Sequence, residues 1–289
     1  MTTLLILAGG LGSRYKGDKQ LAGLGPNNEC LLEYSIYEAV QAGFKQVIVL
    51  STTQYISLLK AKLAYLKKDV DLIFINQFEH DPEYPNHRKV PLGTAHAIWS
   101  CRNVVKDDFM VVNADDYYGL DAFKNALIFF KNRNLGEYGL ISYTLYKTLT
   151  KNGGVSRGIC ELQNNILVDI EEHTQVKRIN SEIYSKESKP PLDPLLQVSM
   201  NCWLLNADLF SRLDDFFALF YQNHSSDEQT ECQLPGFIQL LLSQGIVFKV
   251  IKSQARWFGL THIEDFHWCK KEITRKIQSS LLPEKINFL

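Results

Sequence analysis

The chain has 289 residues, a net charge of -1 at neutral pH, 45% hydrophobic residues and 22% charged residues. This composition is typical of a globular protein, and the near-zero charge argues against partners such as nucleic acid or an anionic membrane surface. Six scattered cysteines without a C-x-x-C pair give no sequence signature of a zinc site or a disulfide framework (Cys30, Cys101, Cys160, Cys202, Cys232 and Cys269).

The first predicted element is an apolar strand over residues 3–8, which runs directly into Gly9-Gly10-Leu11-Gly12-Ser13-Arg14 and then Lys19. Glycines let backbone N–H groups approach a ligand closely, while Ser13, Arg14 and Lys19 supply donors and positive charge. The segment therefore predicts a polyphosphate-binding loop. No basic leader precedes the strand and no apolar run reaches the ~20 residues of a membrane span, so we expect a cytoplasmic protein.

Two better-known phosphate motifs do not fit this loop. A dinucleotide fingerprint beginning at Gly10 would require glycine or alanine at Tyr15, and a P-loop beginning at Gly12 would require lysine at Asp18. A simple glycine-rich turn is the alternative, but a turn needs neither Arg14 nor Lys19.

Short apolar strands alternate with helices over the first half of the chain, which predicts a parallel sheet covered by helices on both faces. The predicted elements of this half are strands at 46–51, 72–76 and 109–113 and helices at 31–42, 54–66, 94–102 and 122–132. The second half predicts strands at 138–145, 158–161, 167–170, 198–205 and 246–251, helices at 207–221, 235–243 and 264–280, and a solvated loop at 177–194.

Asp115 and Asp116 follow the predicted strand at 109–113. Ligands of parallel sheets bind at the carboxyl ends of strands, so we expect this pair to lie near the glycine loop. Carboxylate oxygens are the ligands that Mg²⁺ prefers, and the cation would neutralise a bound triphosphate. In isolation, the alternative is an Asp-rich turn.

The run Leu-Ala-Gly-Gly-x-Gly-Ser-Arg followed by a lysine resembles the signature of the sugar-phosphate nucleotidylyltransferases, the glucose-1-phosphate uridylyl- and thymidylyltransferase group. The resemblance extends from Leu4 to about Thr261. It implies an α/β fold, a Rossmann-like three-layer sandwich with a mixed, mainly parallel central sheet. It also implies that an NTP and a sugar 1-phosphate, with Mg²⁺ as cofactor, give an NDP-sugar and pyrophosphate.

The resemblance implies one domain over residues 1–289, with a nucleotide-binding half (1–135), a sugar-phosphate-binding half (136–262) and a C-terminal helix (263–289). The oligomeric state stays open, with a homodimer among the alternatives. Residues matching the family motifs are expected to be catalytic (Arg14, Lys19, Asp115), to bind the nucleotide (Leu7, Ala8, Gly9, Gly10, Gly12, Ser13, Gln77, Gly93, Thr94), to bind the sugar phosphate (Asp116, Gly154, Glu172, Asn201, Lys177) and to hold the metal (Asp115, Asp265).

Gln77 and Gly93 are expected to hold the edge of the base, and UTP or dTTP is the expected nucleotide. Gln77 can donate and accept, and Gly93 allows close approach to the ring. The alternative for Gly93-Thr94 is an ordinary helix start with Thr94 as its cap. The segment 78–89 is expected to be either a flap over the site or plain surface.

Two positions depart from the family pattern. His173 stands where the family commonly has a lysine, so Lys177, Arg178 or Arg157 would have to hold the phosphate of the acceptor. The segment 257–261 resembles the Trp-x-Asp-x-Gly-Thr motif but has Gly259 in place of its metal-binding aspartate. Asp265 is expected to substitute, or else to be a first-turn residue favoured by the helix dipole.

Two other functions stay open from the sequence. A glycosyltransferase also binds a nucleotide sugar through an Asp at a strand end, but it has no need of the glycine-rich loop. A non-catalytic nucleotide-sugar-binding module would explain the missing lysine and aspartate. Pyrophosphate release separates both from a nucleotidylyltransferase.

Overall fold

A computed structural model describes residues 2–9, 21–79, 92–150, 152–224, 227 and 229–288. The first half forms four parallel strands in the order β3-β2-β1-β4. These strands are β1 (Thr3–Leu7), β2 (Gln46–Ser51), β3 (Asp71–Asn76) and β4 (Asp108–Asn113). Leu7 lies level with Leu50 and Asn113, so β1, β2 and β4 end at the same edge of the sheet.

The second half extends this sheet with antiparallel neighbours. Its strands are β6 (Tyr138–Thr144), β7 (Val155–Gln163), β8 (Ile166–Ile179), β9 (Glu182–Tyr184), β10 (Gln197–Asn206) and β11 (Phe248–Lys252), while β5 (Asp116–Tyr117) lies outside it. Strand β10 runs antiparallel between β4 and β6, β11 is parallel to β6, and β8 and β7 complete the order, with β9 paired to β8. The predicted mixed sheet is confirmed.

The predicted loop at 177–194 is partly wrong. Strand β8 continues to Ile179, the chain turns at Asn180 with φ of 57°, and β9 pairs back onto β8. The solvent-facing positions of an edge hairpin are polar, which makes its sequence resemble a loop. Polar residues also alternate with apolar ones along β7 and β8. The sequence therefore predicts only the short apolar parts of these two strands.

Helices cover both faces of the sheet, which confirms the three-layer sandwich. They are α1 (Leu31–Ala42), α2 (Thr53–Lys62), α3 (Thr94–Trp99), α4 (Leu120–Asn132), α5 (Phe210–His224), α6 (Leu234–Ser243) and α7 (Asp265–Gln278). Leu4 and Ile6 of β1 join one core with α1, α4 and α7, whereas Leu5 and Leu7 join another with α3, α5 and α6. Successive residues of a strand point to opposite faces, so β1 serves both cores.

Helix α1 matches its predicted bounds of 31–42. Its first turn is closed by the Glu33 carboxylate, which accepts a hydrogen bond of 2.8 Å from Cys30 N. Gly43 ends the helix with φ of 119°, a conformation that glycine adopts without a Cβ penalty. No helix in the described ranges is long and apolar enough to cross a membrane.

A two-stranded sheet that the sequence analysis did not predict lies beside the main one. Strand β5 pairs antiparallel with β12 (Phe258–Gly259), with Tyr117 opposite Phe258 and Asp116 opposite Gly259. The Asp115 carbonyl also accepts a hydrogen bond of 3.0 Å from Leu260 N. This pairing brings the segment 257–261 to the Asp pair, although almost half of the chain length separates them.

Candidate functional site

A cleft of about 350 Å³ lies at the edge of the sheet where β4 ends. Its walls include five of the predicted site residues, namely Thr94, Asp115, Asp116, Glu172 and Asn201. They come from the start of α3, the end of β4, and strands β8 and β10. Arg157 and Trp257 also line this cleft, which therefore carries carboxylates and a guanidinium in one space.

The end of β1 lies beside Gln77. Ala8 is fully buried and donates to the Leu50 carbonyl at 2.7 Å, so Leu7 and Ala8 belong to the sheet interior. A β-carbon at Gly9 would lie 3.1 Å from Gln77 Oε1, so the start of the glycine loop and Gln77 are adjacent. The other predicted loop residues lie outside the described residues (Gly10, Gly12, Ser13, Arg14 and Lys19).

The side chain of Gln77 contacts His96, a residue that was not predicted from the sequence. Gln77 Nε2 lies 3.1 Å from His96 Nδ1, and both side chains are buried. His96 packs against Phe217 with ring centroids 4.9 Å apart, so its place in the site depends on α5. A single buried histidine on a helix has no distinguishing sequence signal. The contact with His96 engages the side-chain amide nitrogen of Gln77, and the side-chain oxygen Oε1 points toward Gly9.

Gly93 and Thr94, at the start of α3, contact the residues at the start of α6. A β-carbon at Gly93, whose φ is 97°, would lie 2.5 Å from the Cys232 carbonyl oxygen. Thr94 Oγ1 accepts a hydrogen bond of 2.8 Å from Leu234 N and does not cap its own helix. Of the alternative interpretation, the helix start is confirmed, since α3 begins at Thr94, but the cap at Thr94 is wrong; the close backbone approach at Gly93 is made by Cys232.

Asp116 occupies the space beside Gly259. Asp116 Oδ2 accepts hydrogen bonds from Asn113 Nδ2 at 2.8 Å and from the Tyr118 hydroxyl at 3.2 Å. A β-carbon at Gly259 would lie only 2.1 Å from Asp116 Oδ1. Any larger residue at Gly259 would thus collide with the Asp116 carboxylate as it is oriented in this structure.

The floor of the cleft is a hydrogen-bonded network. Asn201 Nδ2 donates to Asn113 Oδ1 at 2.7 Å, and Trp203 Nε1 donates to Asn201 Oδ1 at 3.0 Å. Asn201 has φ of 58°, at an irregularity in the pairing of β10 with β6. Since Asn113 also donates to Asp116, the network fixes the orientation of Asp116 from β4 and β10 together.

Arg157 is a buried cation in the wall of the cleft, with only 5% of its surface exposed. Its guanidinium donates to the Thr148 side chain at 3.0 Å, to the Ser156 carbonyl at 2.6 Å and to the Thr148 carbonyl. It lies 4.7 Å from the Trp257 ring centroid in a cation–π contact. Burial lowers the pKa of Arg157 to about 10, opposed by the charges of Asp116, Glu172 and Asp265. The side chain is charged at neutral pH.

Glu172 also lines the cleft and lies on β8 opposite Gly158, the residue that follows Arg157. Loss of hydration raises the pKa of the Glu172 carboxyl, and the Arg157 charge opposes this rise. Trp257 is buried, and its Nε1 has no hydrogen-bond partner among the described residues. The wall of the cleft therefore holds a buried donor without a partner among the described residues, beside the Glu172 acceptor.

Several predicted residues lie outside this cleft. His173 is turned into the hairpin, where its ring contacts Ser185 Oγ at 2.8 Å and Glu171 at 3.3 Å. Gly154 packs under Gln175, whose Cα would lie 2.8 Å from an added β-carbon. Lys177 lines a separate cavity together with Arg178. None of these side chains lines the cleft described here.

Asp265 ties the start of α7 to the segment that follows β6. One carboxylate oxygen accepts from Thr150 at 2.6 Å and Asn152 at 3.0 Å, and the other accepts from the backbone of His262 at 2.7 Å. The side chain is buried and does not line the cleft. The structure thus places it as a first-turn residue that holds the start of α7.

The described residues hold no cluster of three or more His, Cys, Asp or Glu side chains suited to a metal ion. Mg²⁺ usually takes only one or two carboxylates and completes its shell with phosphate oxygens and water. The carboxylates of Asp115 and Asp116, both lining the cleft, are hard oxygen ligands of the required kind. The residues present therefore fit Mg²⁺ as part of a substrate complex.

Comparisons with known proteins agree with this geometry. The family model described as Nucleotidyl transferase matches residues 3–184, whereas none of the curated proteins matches the chain. The inositol-1-phosphate CTP transferase from T. maritima shares the fold with a TM-score of 0.66 and 16% identity, covering 95% of this chain and 96% of that chain.

Two further solved structures are similar over nearly their full lengths. A Bacillus anthracis protein assigned as a glucose-1-phosphate thymidylyltransferase, in complex with a sucrose, has a TM-score of 0.66 and 15% identity, covering 100% of this chain and 98% of that chain. HddC from Yersinia pseudotuberculosis has a TM-score of 0.59 and 16% identity, covering 94% and 100%. These likenesses confirm the predicted Rossmann-like fold.

Proposed function

Because the chain belongs to the nucleotidyl transferase family, we propose that it transfers a nucleotidyl group from an NTP to a sugar 1-phosphate and releases pyrophosphate. The observation that carries this proposal is the cleft itself. It holds the strand-end Asp115 and the buried Arg157 in one space at the edge of the sheet where β4 ends. We also propose that residues 1–135 form the nucleotide-binding half and residues 136–262 the sugar-phosphate-binding half, with residues 263–289 as the C-terminal helix.

In the proposed reaction, a phosphate oxygen of the acceptor attacks the α-phosphorus in line. The new P–O bond forms as the bond to the bridging α–β oxygen breaks, and that electron pair leaves with pyrophosphate. No protein nucleophile is needed, so the residues position the substrates and neutralise charge. Arg14 and Lys19 are proposed to hold the triphosphate and the leaving group, which suits a guanidinium fork and an ammonium point charge.

Asp115, supported by Asp116, is proposed to hold Mg²⁺. When bound, the cation would reduce the charge of the triphosphate and favour departure of pyrophosphate. Asp116 already accepts two hydrogen bonds, from Asn113 and Tyr118, so it has fewer lone pairs left for a metal ion than a carboxylate without such bonds. These hydrogen bonds also orient the chain at the end of β4. Both carboxylate oxygens of Asp265 accept hydrogen bonds from Thr150, Asn152 and His262 N, and Asp265 is not part of this proposal.

Arg157 is proposed to pair with the phosphate of the acceptor. It has no ion pair with any described residue, yet a buried charge is normally paired or strongly hydrogen-bonded. Its fixed contacts to Thr148 and Ser156 use some of its five N–H groups and leave others for a ligand. Lys177 and Arg178, the alternatives from the sequence, line the other cavity.

Glu172, Asn201 and Trp257 Nε1 are proposed to contact the hydroxyl groups of the acceptor. Glu172 accepts when ionised, and the Trp257 indole is a donor without a partner among the described residues. These groups suit a polyhydroxylated ring. The acceptor is therefore a sugar or cyclitol phosphate, and inositol 1-phosphate belongs in any test because a structural neighbour is named for it.

Gln77 is proposed to read the base. Its amide nitrogen is engaged by His96, which leaves Oε1 as an acceptor facing Gly9. An acceptor suits the N3–H of uracil or thymine, so UTP or dTTP is favoured. The exocyclic amino group of cytosine is also a donor, and one structural neighbour is named as a CTP transferase.

The decisive experiment is pyrophosphate release from the purified protein with Mg²⁺, using UTP, dTTP, CTP, ATP and GTP against a panel of sugar 1-phosphates and inositol 1-phosphate. Release that requires both substrates and is lost in Asp115→Ala would support the proposal and identify the base and the acceptor. NDP-sugar binding without pyrophosphate release would favour a binding module. Consumption of an NDP-sugar would favour a glycosyltransferase.

A further inference from the structure

A second cavity, about 820 Å³ in volume, lies between the loop after β6, the end of β8 and the loop after β11. It shares no lining residue with the cleft. We propose that this basic pocket, lined by Lys147, Lys177, Arg178, Arg256 and the ring of Tyr146, binds a phosphorylated small molecule. The proposal does not depend on which nucleotide is transferred.

The charge of the basic pocket points to an anion. Four cationic side chains line it, and no Asp or Glu among the described residues does. None of the four forms an ion pair with a residue in the described part of the chain. Gathering like charges around one concave space is unfavourable unless a counter-charge occupies it, and a concave wall focuses the field on a small ligand.

Two of the cations are held in place by neighbours. Lys147 Nζ donates to the Gln254 carbonyl at 3.0 Å, and the Arg256 guanidinium lies 5.0 Å from the Trp268 ring centroid. These contacts reduce the rotamer freedom that a ligand would otherwise have to restrict. Lys177 and Arg178 are exposed at the end of β8 and complete the ring of positive charge.

The size and the apolar wall indicate an organic phosphate in preference to a bare ion. The volume lies within the roughly 300–1,000 Å³ range of small-molecule pockets. Tyr146 is 42% exposed and lines the pocket with Leu149, so a carbon skeleton or ring has a surface to pack on. Phosphate groups would contact the cations while the skeleton covers Tyr146.

The basic pocket and the cleft are separated by a thin wall. Arg256 lines the pocket and its neighbour Trp257 lines the cleft. On the other side of the wall, Lys147 and Leu149 line the pocket, while Thr148 between them accepts the hydrogen bonds of Arg157. Two separate anion sites are therefore expected, one on each side.

The test uses inorganic pyrophosphate as the probe, titrated by calorimetry without divalent metal. The wild-type protein is compared with the double variant Lys147→Glu/Arg178→Glu and with Lys124→Glu/Lys131→Glu, which changes the net charge equally at exposed positions of α4. We expect the pocket variant to bind at least about tenfold more weakly at one class of site, and the α4 control to bind as the wild type does.

The same titrations in an Arg157→Met background separate the two sites. A class of pyrophosphate site that persists there, in addition to the site proposed at Arg14 and Lys19, and that is lost on adding the pocket changes would support the basic pocket. Equal affinities and stoichiometries in the pocket and control variants would overturn it, as would loss of all binding in Arg157→Met alone. If the double reversal lowers the melting temperature, Arg178→Gln gives the same comparison. Since binding is measured directly, failure of the transferase assay would not affect the outcome.

Discussion

Replacing Arg157 by methionine tests the assignment of the acceptor site most directly. Methionine keeps a long, largely apolar side chain against Trp257 but removes the guanidinium. Arg157 is 5% exposed, so its interaction with a phosphate would be little screened by water. A charge-assisted hydrogen bond contributes ~1.5–3 kcal/mol, and a bidentate contact reaches ~3 kcal/mol.

This free energy corresponds to a loss of about 10²-fold in kcat/KM. We expect most of the loss to appear as a higher KM for the sugar 1-phosphate, with little change in the KM for the NTP, because Arg157 lies in the β7–β8 wall. The assay is initial-rate pyrophosphate release with each substrate varied in turn. Arg157→Lys should recover part of the loss, since an ammonium restores the charge without the fork.

Arg102→Met provides a matched control. Arg102 also stacks on a tryptophan, with its guanidinium 3.5 Å from the Trp99 ring centroid, but it lies outside the cleft. A folded Arg157→Met protein whose KM for the sugar phosphate stays within about twofold of the Arg102→Met value would refute the reasoning, because an interaction of ~0.4 kcal/mol or less is too weak for a buried phosphate contact.

Three further outcomes are expected. Burial raises the pKa of Glu38 to about 7, and the hydrogen bond from Tyr117 opposes this rise. The free energy of unfolding should therefore fall as the pH rises from about 4.5 to above 7, by up to ~3 kcal/mol, because Glu38 must ionise while buried. Glu38→Gln should remove this pH dependence in denaturant melts from about pH 5 to 8. Gly259→Ala should displace the Asp116 carboxylate, which lies 2.1 Å from the added β-carbon, and lower kcat at least about tenfold; unchanged kcat would show that this carboxylate is free to move. Asp265→Ala should destabilise the fold by ~3 kcal/mol in thermal melts without shifting the Mg²⁺ concentration for half-maximal turnover, whereas a shifted requirement would return Asp265 to the metal site.

Much of the fold could be predicted because its signals are local. The runs that form β2 and β4 are continuously apolar since both faces of a central strand are buried, and Gly43 marks the end of α1 by its backbone conformation alone. The β8–β9 hairpin was missed because its solvent-facing residues give it the composition of a loop. The β5–β12 pair was missed because two-residue strands have no measurable periodicity.

The sequence by itself determined the class of the protein and the sheet edge at which the proposed nucleotide residues lie. A glycine-rich loop after a first strand and an Asp after the fourth parallel strand depend only on neighbouring residues, and parallel topology puts the ends of such strands at one edge. Asp115 at the cleft follows from these patterns alone.

Only the tertiary structure decided which of several chemically equivalent side chains face the cleft. The sequence favoured Lys177, with Arg178 and Arg157 as alternatives, but the fold places Arg157 of β7 in the cleft and Lys177 and Arg178 of β8 in the basic pocket. The pairing of β5 with β12 likewise puts the Asp116 carboxylate beside Gly259, while Asp265 is bound by Thr150 and Asn152 away from the cleft. The direction of a side chain depends on strand register and on contacts between distant segments, and neither is encoded in the residue type.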